Sequence, residues 1–351
     1  MIVGIDVHKR SHAAALIDER GAPIGTLTIP NSRDGVVRLR RWLCEQGADS
    51  ALVGVENAAG YGRLVCAVLA AVGHEVVNVP AWRVKRERVH QGPGKSDPAD
   101  AVAIALCVLR HREKLGPALE PPLIRAIAFL ETHRRQSVTR RTDAIQRLRA
   151  VWAQIDPEAE AAVPNVTAKR VLLRLAKISF GDGLAEHAAA RCVRDLAHEI
   201  EALNERVAEL ERELAGLLAD PGSPFEDIRG VGLATTVTLI AQSGDVRRFR
   251  DDAAYARYGG SAPIPCGSGA TAGRHRLHRG GNRQINACLH RIAVTQARVD
   301  PRARAFLTRK TAEGKTKREA RRALKRHLSD VVYRRLYDWA EHALPPPDDL
   351  T

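Results

Sequence analysis

Ile2-Val3-Gly4-Ile5-Asp6-Val7, residues 2–7, is the stretch that decides the fold, because it is an apolar run of the right length for a buried central strand. Two further apolar runs, 13–17 and 24–29, flank a turn and predict a hairpin beside this strand. Helix and strand signals then alternate as far as residue 79. Hairpin-connected strands followed by helix–strand alternation predict an α/β domain with a mixed sheet.

Two carboxylates interrupt or end buried strands in this region. Asp6 lies inside the first run, and Glu56 ends Leu52-Val53-Gly54-Val55-Glu56. A buried carboxylate is costly unless it is paired or bound to a metal. Taken singly, each acid is equally well explained as a strand-end residue that caps a nearby loop.

Two more carboxylates open the apolar run 101–109, in Gly94-Lys95-Ser96-Asp97-Pro98-Ala99-Asp100. Proline suits the first position of a helix, so the pattern predicts Asp97 as the N-cap and Asp100 in the first turn. Residues three apart share one helix face, so both carboxylates can point at one place. The alternative is a capping aspartate with a second acid placed favourably against the helix dipole.

The four acids together favour a metal site over four separate caps. Two strand ends and one helix start are how a mixed sheet gathers carboxylates around Mg²⁺ ions for phosphoryl transfer. Hard oxygen ligands without a His or Cys cluster favour Mg²⁺ or Mn²⁺ over zinc. His8 and Lys9, just beyond Asp6, are interpreted either as phosphate contacts or as solvated residues.

Composition points to a nucleic-acid partner. The chain has 351 residues, is 44% hydrophobic and carries a formal charge of +14, a surplus that favours binding to a polyanion. Aromatic residues make up only 4%, so we expect backbone contacts by arginine rather than stacked bases. No run is long enough to span a membrane, and no Trp-anchored amphipathic segment favours a membrane surface.

The cysteines and the N-terminus predict a cytoplasmic protein. Met1 leads directly into the first strand without a basic segment or a cleavage site, so no signal peptide is expected. The six cysteines are scattered without C-x-x-C spacing, which argues against a disulfide framework or a zinc knuckle and fits a reducing compartment.

The middle of the chain is predicted to be helical. Residues 115–122 contain two consecutive prolines and are interpreted as a linker, and 123–155 has helical spacing. Apolar residues then alternate at spacings of four and three from Leu196 to Leu217, which predicts a coiled-coil seam. The seam can pair with 123–155 in one subunit or with a second subunit, and the sequence does not choose.

Two stretches of the C-terminal region suggest contacts with DNA. Gly230-Val231-Gly232 precedes a predicted helix, and such a turn exposes backbone N–H groups to phosphate. It is similar to a helix-hairpin-helix element, although a tight turn between core helices is the competing interpretation. Residues 301–335 combine many Arg and Lys residues with an apolar stripe, which predicts a packed helix with a nucleic-acid-binding face.

Three motifs resemble the N-terminal domain of the DEDD insertion-sequence transposases, a family that includes Piv-type invertases and bridge-RNA-guided recombinases. They are Gly4-Ile5-Asp6-Val7-His8-Lys9, Val55-Glu56-Asn57-Ala58-Ala59-Gly60-Tyr61-Gly62 and Lys95-Ser96-Asp97-Pro98-Ala99-Asp100-Ala101, in family order. The resemblance implies an RNase H-like, resolvase-like catalytic domain (1–115) with Asp6, Glu56, Asp97 and Asp100 as its four acids. It is followed by a helical, coiled-coil region (123–220) and by a mainly α, serine-bearing DNA-binding domain (224–345).

The resemblance also implies a nucleophile. In this family a Ser-Gly pair, followed by a basic residue and Gly-Asn, carries the recombinase serine, and Ser268-Gly269 and Gly281-Asn282 match it. Ser261 is the fallback candidate, less suited because it lies on a turn before two prolines. The chain departs from the family at Ile285-Asn286, where Arg or Leu-Arg is common. Predicted nucleic-acid contacts are Lys9, Gly230, Gly232, Arg274, Arg276, Arg279 and Asn282.

The sequence therefore favours a DNA recombinase that uses Mg²⁺ or Mn²⁺, with Ser268 forming a covalent DNA intermediate. The resemblance alone implies a structured noncoding guide RNA, and we expect a homo-oligomer, a dimer or tetramer. Three alternatives stay open: a structure-selective nuclease that uses the acids and water, a non-catalytic DNA-binding protein whose acids are caps, and an actin-like sugar kinase or ATPase. The last lacks a later glycine signature for nucleotide binding.

Overall fold

The computed structural model describes residues 1–88, 96–265, 275–277 and 280–346. The chain divides into two compact units. The first comprises residues 1–122 with 245–250 and the residues from 340 onward, and the second comprises 123–244 and 251–339. The predicted stretches 123–220 and 224–345 both fall mainly in the second unit, and their separation into two domains stays a prediction.

The first unit is built on a five-stranded mixed sheet with the order β3-β2-β1-β4-β5. Its strands are β1 (Ile2–Val7), β2 (Ser11–Ile17), β3 (Pro23–Pro30), β4 (Leu52–Glu56) and β5 (Glu75–Val79). The first three form an antiparallel meander, while β4 pairs parallel to both β1 and β5. The predicted mixed α/β fold and its hairpin are therefore confirmed.

Helices cover both faces of this sheet. They are α1 (Arg33–Glu45), α2 (Arg63–Ala71), α3 (Ala81–Arg88) and α4 (Asp97–His111). One core contains β1 residues Val3 and Ile5 with residues of α1 and α2, such as Leu39 and Leu69. The other core lies against α4 and contains its residue Ile104. The central strand is buried on both faces, and all of its residues except Asp6 are apolar.

Two glycines let α4 lie directly on the central strands. A Cβ added to Gly4 would stand 2.1 Å from the carbonyl oxygen of Ala101, and one added to Gly54 would stand 2.2 Å from a methyl carbon of Val108. Both distances are far below van der Waals contact, so any side chain here would push α4 away from β1 and β4. Gly4 and Gly54 are also paired in the register of β1 and β4, so two adjacent positions without side chains lie under α4.

The second unit is mainly helical. Its helices are α5 (Pro122–Ile155), α6 (Pro157–Ala161), α7 (Lys169–Leu175), α8 (Leu184–Leu217), α9 (Leu233–Ser243), α10 (Asp252–Tyr258), α11 (Arg283–Val299), α12 (Pro301–Ala312) and α13 (Lys317–Ala343). A short antiparallel ladder joins β6 (Pro263–Pro265) to β7 (His275–Leu277). The predicted single helix across 301–335 is wrong in one respect, because the chain breaks between α12 and α13 at Gly314, where φ is +87°.

The two long helices α5 and α8 pack against each other in the same chain. Arg141 of α5 donates a hydrogen bond to Asn204 of α8 at 2.9 Å, and Arg147, six residues further along α5, lies 3.5 Å from Glu199. Ile200 of the predicted seam shares a core with Leu148 of α5. Part of the seam is thus buried within one subunit, while the designation as a coiled coil stays a prediction.

Within the described residues, none of the helices combines the length and the apolar character needed to cross a lipid bilayer.

Candidate metal centre

Asp6 and Glu56 are placed side by side by the register of the two central parallel strands. Gly4 pairs with Gly54, and each acid stands two residues further along its strand. Because side chains alternate between sheet faces, both acids face the same side as the two glycines, the side on which α4 lies. Asp6 is buried, and Glu56 is partly buried at the carboxyl end of β4.

The other two acids come from the first turn of α4. Ser96, not Asp97, is the N-cap: its Oγ accepts a hydrogen bond from the N–H of Ala99 at 3.4 Å. The predicted cap at Asp97 is therefore wrong by one residue, because the serine hydroxyl takes the capping role and leaves the carboxylate free to point elsewhere. Asp97 is exposed and Asp100 is buried, three residues apart on one face as predicted.

His8 links one pair of these acids. Its Nε2 lies 3.2 Å from Oδ2 of Asp6 and 3.5 Å from Oδ1 of Asp97. One ligand atom from each of the three residues falls within 4.8 Å of the others, a spacing at which a single cation can be held. The imidazole thus stands where β1 ends and α4 begins.

Arg88 links the other pair. Its Nε lies 2.6 Å from Oδ1 of Asp100, and its terminal nitrogen lies 3.9 Å from Oε2 of Glu56. That Oε2 is buried, and no hydrogen-bond donor reaches it among the described residues. A buried carboxylate oxygen without a donor costs free energy, which a bound cation would recover.

Burial sets the electrostatics of the cluster. It raises the pKa of Asp6 above the ordinary value of 3.8, while His8 lowers it and the carboxylates of Asp100 and Asp97 raise it again. Burial likewise raises the pKa of Glu56, and the negative charge of Asp6 adds to the effect. Neighbouring carboxylates that resist sharing negative charge form a site that favours a cation. The four acids and the donor-free Oε2 thus fit a hard divalent ion.

Sequence reasoning missed Arg88 as a partner of these acids. It ends the basic helix α3, where nothing distinguishes it from Lys85 or Arg86 along the chain. Only the packing of α3 on α4 brings its guanidinium to Asp100. His8 was recognised as a candidate, but for contact with phosphate rather than with the acids.

The predicted nucleophile Ser268 lies outside the described residues, as do Arg274 and Arg279. Arg276 lies in β7. Ser261 is described: it is fully buried, and its hydroxyl donates to the carbonyl of Ala256 at 3.2 Å. A buried hydroxyl committed to the backbone is poorly placed to attack DNA, which argues against this fallback candidate.

Two described glycines on either side of Ser268 in the sequence lie against each other. A Cβ added to Gly281 would stand 2.3 Å from the Cα of Gly260, so these two residues touch backbone to backbone. Asn286 donates hydrogen bonds to the carbonyls of Gly259 and Gly260, at 3.3 Å and 2.8 Å. The departure from the family pattern at Asn286 thus has a structural use, since this amide holds the backbone of Gly259 and Gly260.

Asn282, next to Gly281, forms hydrogen bonds through both ends of its side-chain amide. Its Oδ1 caps α11 by accepting from the N–H groups of Gln284 and Ile285, and its Nδ2 donates to Gln242. Its side chain is therefore engaged within the chain at both ends. A contact of Asn282 with nucleic acid stays a prediction.

The remaining predicted nucleic-acid contacts lie apart along the chain. Lys9 is exposed in the turn after β1. Gly230 has a φ of +88°, and a Cβ there would meet the side chain of Thr295 at 2.9 Å, so close packing on α11 requires glycine. Gly232 is the N-cap of α9 and offers no side-chain cap. The helix-hairpin-helix interpretation of this turn stays a prediction.

Comparison with known families gives the same assignment for both ends of the chain. A DEDD transposase model of the IS110 type, described as a transposase, matches residues 3–157. A second model, for the transposase IS116/IS110/IS902 family, matches residues 223–308, and together the two matches cover about two thirds of the chain. The chain belongs to this family of insertion-sequence transposases.

Relatives of the transposase match it over nearly its whole length. It is 27% identical to the uncharacterized 44.8 kDa protein of insertion element IS116 from Streptomyces clavuligerus, over 98% of this chain and 96% of that protein. It is also 27% identical to the mini-circle putative transposase for IS117 from Streptomyces coelicolor, over 93% of this chain and 90% of that protein. The transposase is thus an enzyme that acts on DNA, and its family implies the use of a divalent metal.

Proposed function

We propose that the transposase cuts and rejoins DNA by combining a Mg²⁺- or Mn²⁺-binding acid cluster with a serine nucleophile. The convergence of Asp6, Glu56, Asp97 and Asp100 at one edge of the sheet carries this proposal. The strand order, with an antiparallel meander followed by parallel strands, supports an RNase H-like fold for this domain. The division into domains 1–115, 123–220 and 224–345 belongs to the same proposal.

The acids bind metal and the serine attacks. The four acids would hold a divalent ion, which would supply positive charge to stabilise the reacting phosphate. The Oγ of Ser268 forms a bond to phosphorus, one deoxyribose oxygen leaves with a proton, and the resulting phosphoserine ester keeps the bond energy for rejoining. The reverse attack by a deoxyribose hydroxyl releases the serine and seals the new strand.

The second unit supplies the DNA contacts in this scheme. Arg274, Arg276 and Arg279 neutralise phosphates near Ser268, with Lys9 contributing on the side of the acids. Gly230 and Gly232 present the start of α9 to a DNA backbone, and Asn282 contacts DNA at the start of α11. The family resemblance adds a structured noncoding guide RNA and a dimer or tetramer.

Trapping the covalent intermediate tests the proposal. The protein is incubated with Mg²⁺ and end-labelled DNA from the end of its insertion sequence, and the products are separated by denaturing electrophoresis. A DNA–protein adduct should form with the wild type and not with Ser268→Ala. Ser261→Ala serves as the matched control, because this second serine of the same stretch should leave the adduct intact. Asp97→Ala should also abolish the adduct.

Two outcomes would redirect the proposal. Cleavage that survives Ser268→Ala without any adduct would indicate a nuclease that uses metal-activated water. DNA binding that is unaffected by Asp97→Ala, with no strand cut or joined, would indicate a non-catalytic binding protein. The guide is tested separately, by sequencing RNA that copurifies with the protein and asking whether recombination requires it.

A further inference from the structure

The short helix α3 has one exposed face that carries a tryptophan and two cations. Trp82, Lys85 and Arg86 are exposed and follow the i, i+3, i+4 spacing of a single helix face. The opposite face is buried through Val84 and Glu87, and Glu87 pairs with Arg110 of α4. The buried face thus packs α3 against α4, and the face with Trp82, Lys85 and Arg86 is left exposed to solvent.

Trp82 is an unusual residue to leave in solvent. It is 56% exposed, whereas Trp152 and Trp339 are 5% and 7% exposed. The guanidinium of Arg83 lies 4.6 Å from the centroid of the Trp82 ring, a cation–π contact that holds the indole in place. An exposed aromatic ring is a platform on which another flat group can stack.

The position of α3 connects this platform to the acid cluster. The helix follows β5 directly, at the carboxyl edge of the parallel strands where Glu56 also stands. Its last residue, Arg88, contacts Asp100 and approaches Glu56. A second exposed aromatic residue, Tyr61, lies five residues beyond Glu56 on the connection that leaves the same edge.

The chemistry of this face matches a nucleic-acid strand with unpaired bases. Aromatic rings stack on bases, and flanking lysine and arginine side chains contact the phosphates between them. Paired bases inside a duplex offer no free face to an indole, so the platform selects unpaired ones. This differs from the expectation that the low aromatic content of the chain disfavours stacking, because one well-placed ring is sufficient.

We propose that α3 docks the DNA strand that enters the acid cluster, with Trp82 stacked on an unpaired base and Lys85 and Arg86 on the flanking phosphates. The choice of DNA rests on the proposed function, since the strand that is cut must reach Asp6 and Glu56. The docking itself is independent of cutting. Tyr61 provides a second ring on the same edge.

Tryptophan fluorescence tests the docking without catalysis. In EDTA, titration of the full-length protein with a single-stranded DNA 12-mer of mixed sequence should quench the fluorescence, because Trp82 is the exposed indole. Trp82→Ala should remove most of the quenching and weaken binding about tenfold, as expected for the loss of one stacked base. Trp82→Phe should restore most of the affinity, measured by fluorescence anisotropy of labelled DNA.

Matched variants separate stacking from charge. Lys85→Ala with Arg86→Ala should reduce the slope of log affinity against log salt by about 1.4, at about 0.7 for each lost contact to a single strand. Phe129→Ala is the control, because Phe129 is 64% exposed beside Arg125 in the second unit and should leave binding unchanged. Circular dichroism melting should show every variant folded.

The proposal is overturned if Trp82→Ala binds single-stranded DNA as tightly as the wild type. It is also overturned if only an RNA 12-mer, and not DNA, quenches Trp82. These binding measurements need neither metal nor Ser268, so single-stranded DNA can still bind at Trp82 in a protein that forms no covalent adduct. Failure of the docking and failure of the proposed chemistry are therefore separate results.

Discussion

At the scale of single residues, Arg88 and His8 each contact two of the four acids. Arg88 contacts Asp100 and approaches Glu56, while His8 lies between Asp6 and Asp97. A fixed guanidinium beside two carboxylates competes with any metal ion that uses the same oxygens. Like charges at these distances repel strongly in a partly buried site.

Arg88→Ala should therefore raise the affinity for Mn²⁺ severalfold, because the acids lose their internal counter-charge. Titration monitored by the electron paramagnetic resonance signal of free Mn²⁺ measures this directly. Arg41→Ala, which removes an exposed arginine of α1, is the control and should leave the affinity unchanged. Unchanged or weaker Mn²⁺ binding in Arg88→Ala would show that the arginine does not compete with the ion.

His74 gives the first unit a pH-dependent stability. It is buried, its Nδ1 accepts a hydrogen bond from the N–H of Ala51 at 3.1 Å, and burial lowers its pKa below the ordinary 6.5. The unfolded chain therefore binds a proton that the fold excludes. This contribution to stability is complete above pH 6.5 and is lost as the pH falls through 6.5 towards the lowered pKa.

We expect His74→Gln to lose less thermal stability than the wild type between about pH 7.5 and 5.5, because an amide oxygen keeps the bond to Ala51 without titrating. Differential scanning calorimetry at the two pH values measures the difference. Equal losses in both proteins would mean that His74 is not the group responsible.

At the scale of secondary structure elements, the acid cluster depends on how closely α4 lies on β1 and β4. Gly4 and Gly54 make this contact possible, and the acids stand two residues beyond them on the same face. The same glycine logic recurs in the second unit, where Gly281 lies on Gly260. In the first unit this close approach places Asp6 and Glu56 two positions further along their strands.

Gly4→Ala should destabilise the protein by about 2 kcal/mol or more, because the added methyl group overlaps the backbone of α4. Chemical denaturation monitored by circular dichroism measures the free energy of unfolding. Gly216→Ala is the control: no atom lies within 4 Å of a Cβ at this position in α8, so it should be neutral or slightly stabilising. A Gly4→Ala protein of wild-type stability would contradict the packing described.

Gly281→Ala should weaken formation of the serine adduct without changing metal affinity. The added methyl group would push Gly260 and Gly281 apart at the two ends of the stretch that carries Ser268, and Gly281 lies in the second unit, far from the acids along the sequence. Adduct yield and Mn²⁺ affinity are measured on the same preparation. Loss of both would indicate general misfolding rather than a local effect.

Much of the first unit was predictable from sequence because its signals are local. Strand periodicity and the turns gave the order of elements, and the acids stood out because carboxylates are rare in buried strands. The cap at Ser96 and the role of Arg88 were not predictable in this way, because each depends on which of several similar neighbours makes the contact. The break at Gly314 is a local signal, since a glycine after the last helical residue commonly ends a helix, but the interpretation of 301–335 as one helix overlooked it.

At the scale of the whole molecule, charge dominates. The formal charge of +14 comes from 55 Lys and Arg against 41 Asp and Glu, and internal ion pairs use only some of these cations. Exposed cations such as Lys9, Lys85 and Arg86 are available for phosphates. Binding to DNA should accordingly release counterions and weaken as salt rises.

Affinity for duplex element DNA should fall by on the order of 10³ between about 50 and 200 mM salt if about six phosphates are contacted. Fluorescence anisotropy in EDTA measures the slope. A flat salt dependence would mean that the positive charge is not used for DNA and would remove the main compositional argument for the partner.

The pairing of the acids with Arg88 and His8 also bears on the order of assembly. Four bare carboxylates at the mouth of the site would repel an incoming phosphate, and the guanidinium of Arg88 offsets part of that charge in the metal-free protein. DNA that arrives before the metal would then meet a smaller barrier, and the four acids would hold the ion that follows. Pre-incubation in either order of addition should therefore reach the same reactive complex, and titration with Mn²⁺ should show tighter binding to the protein–DNA complex than to the protein alone.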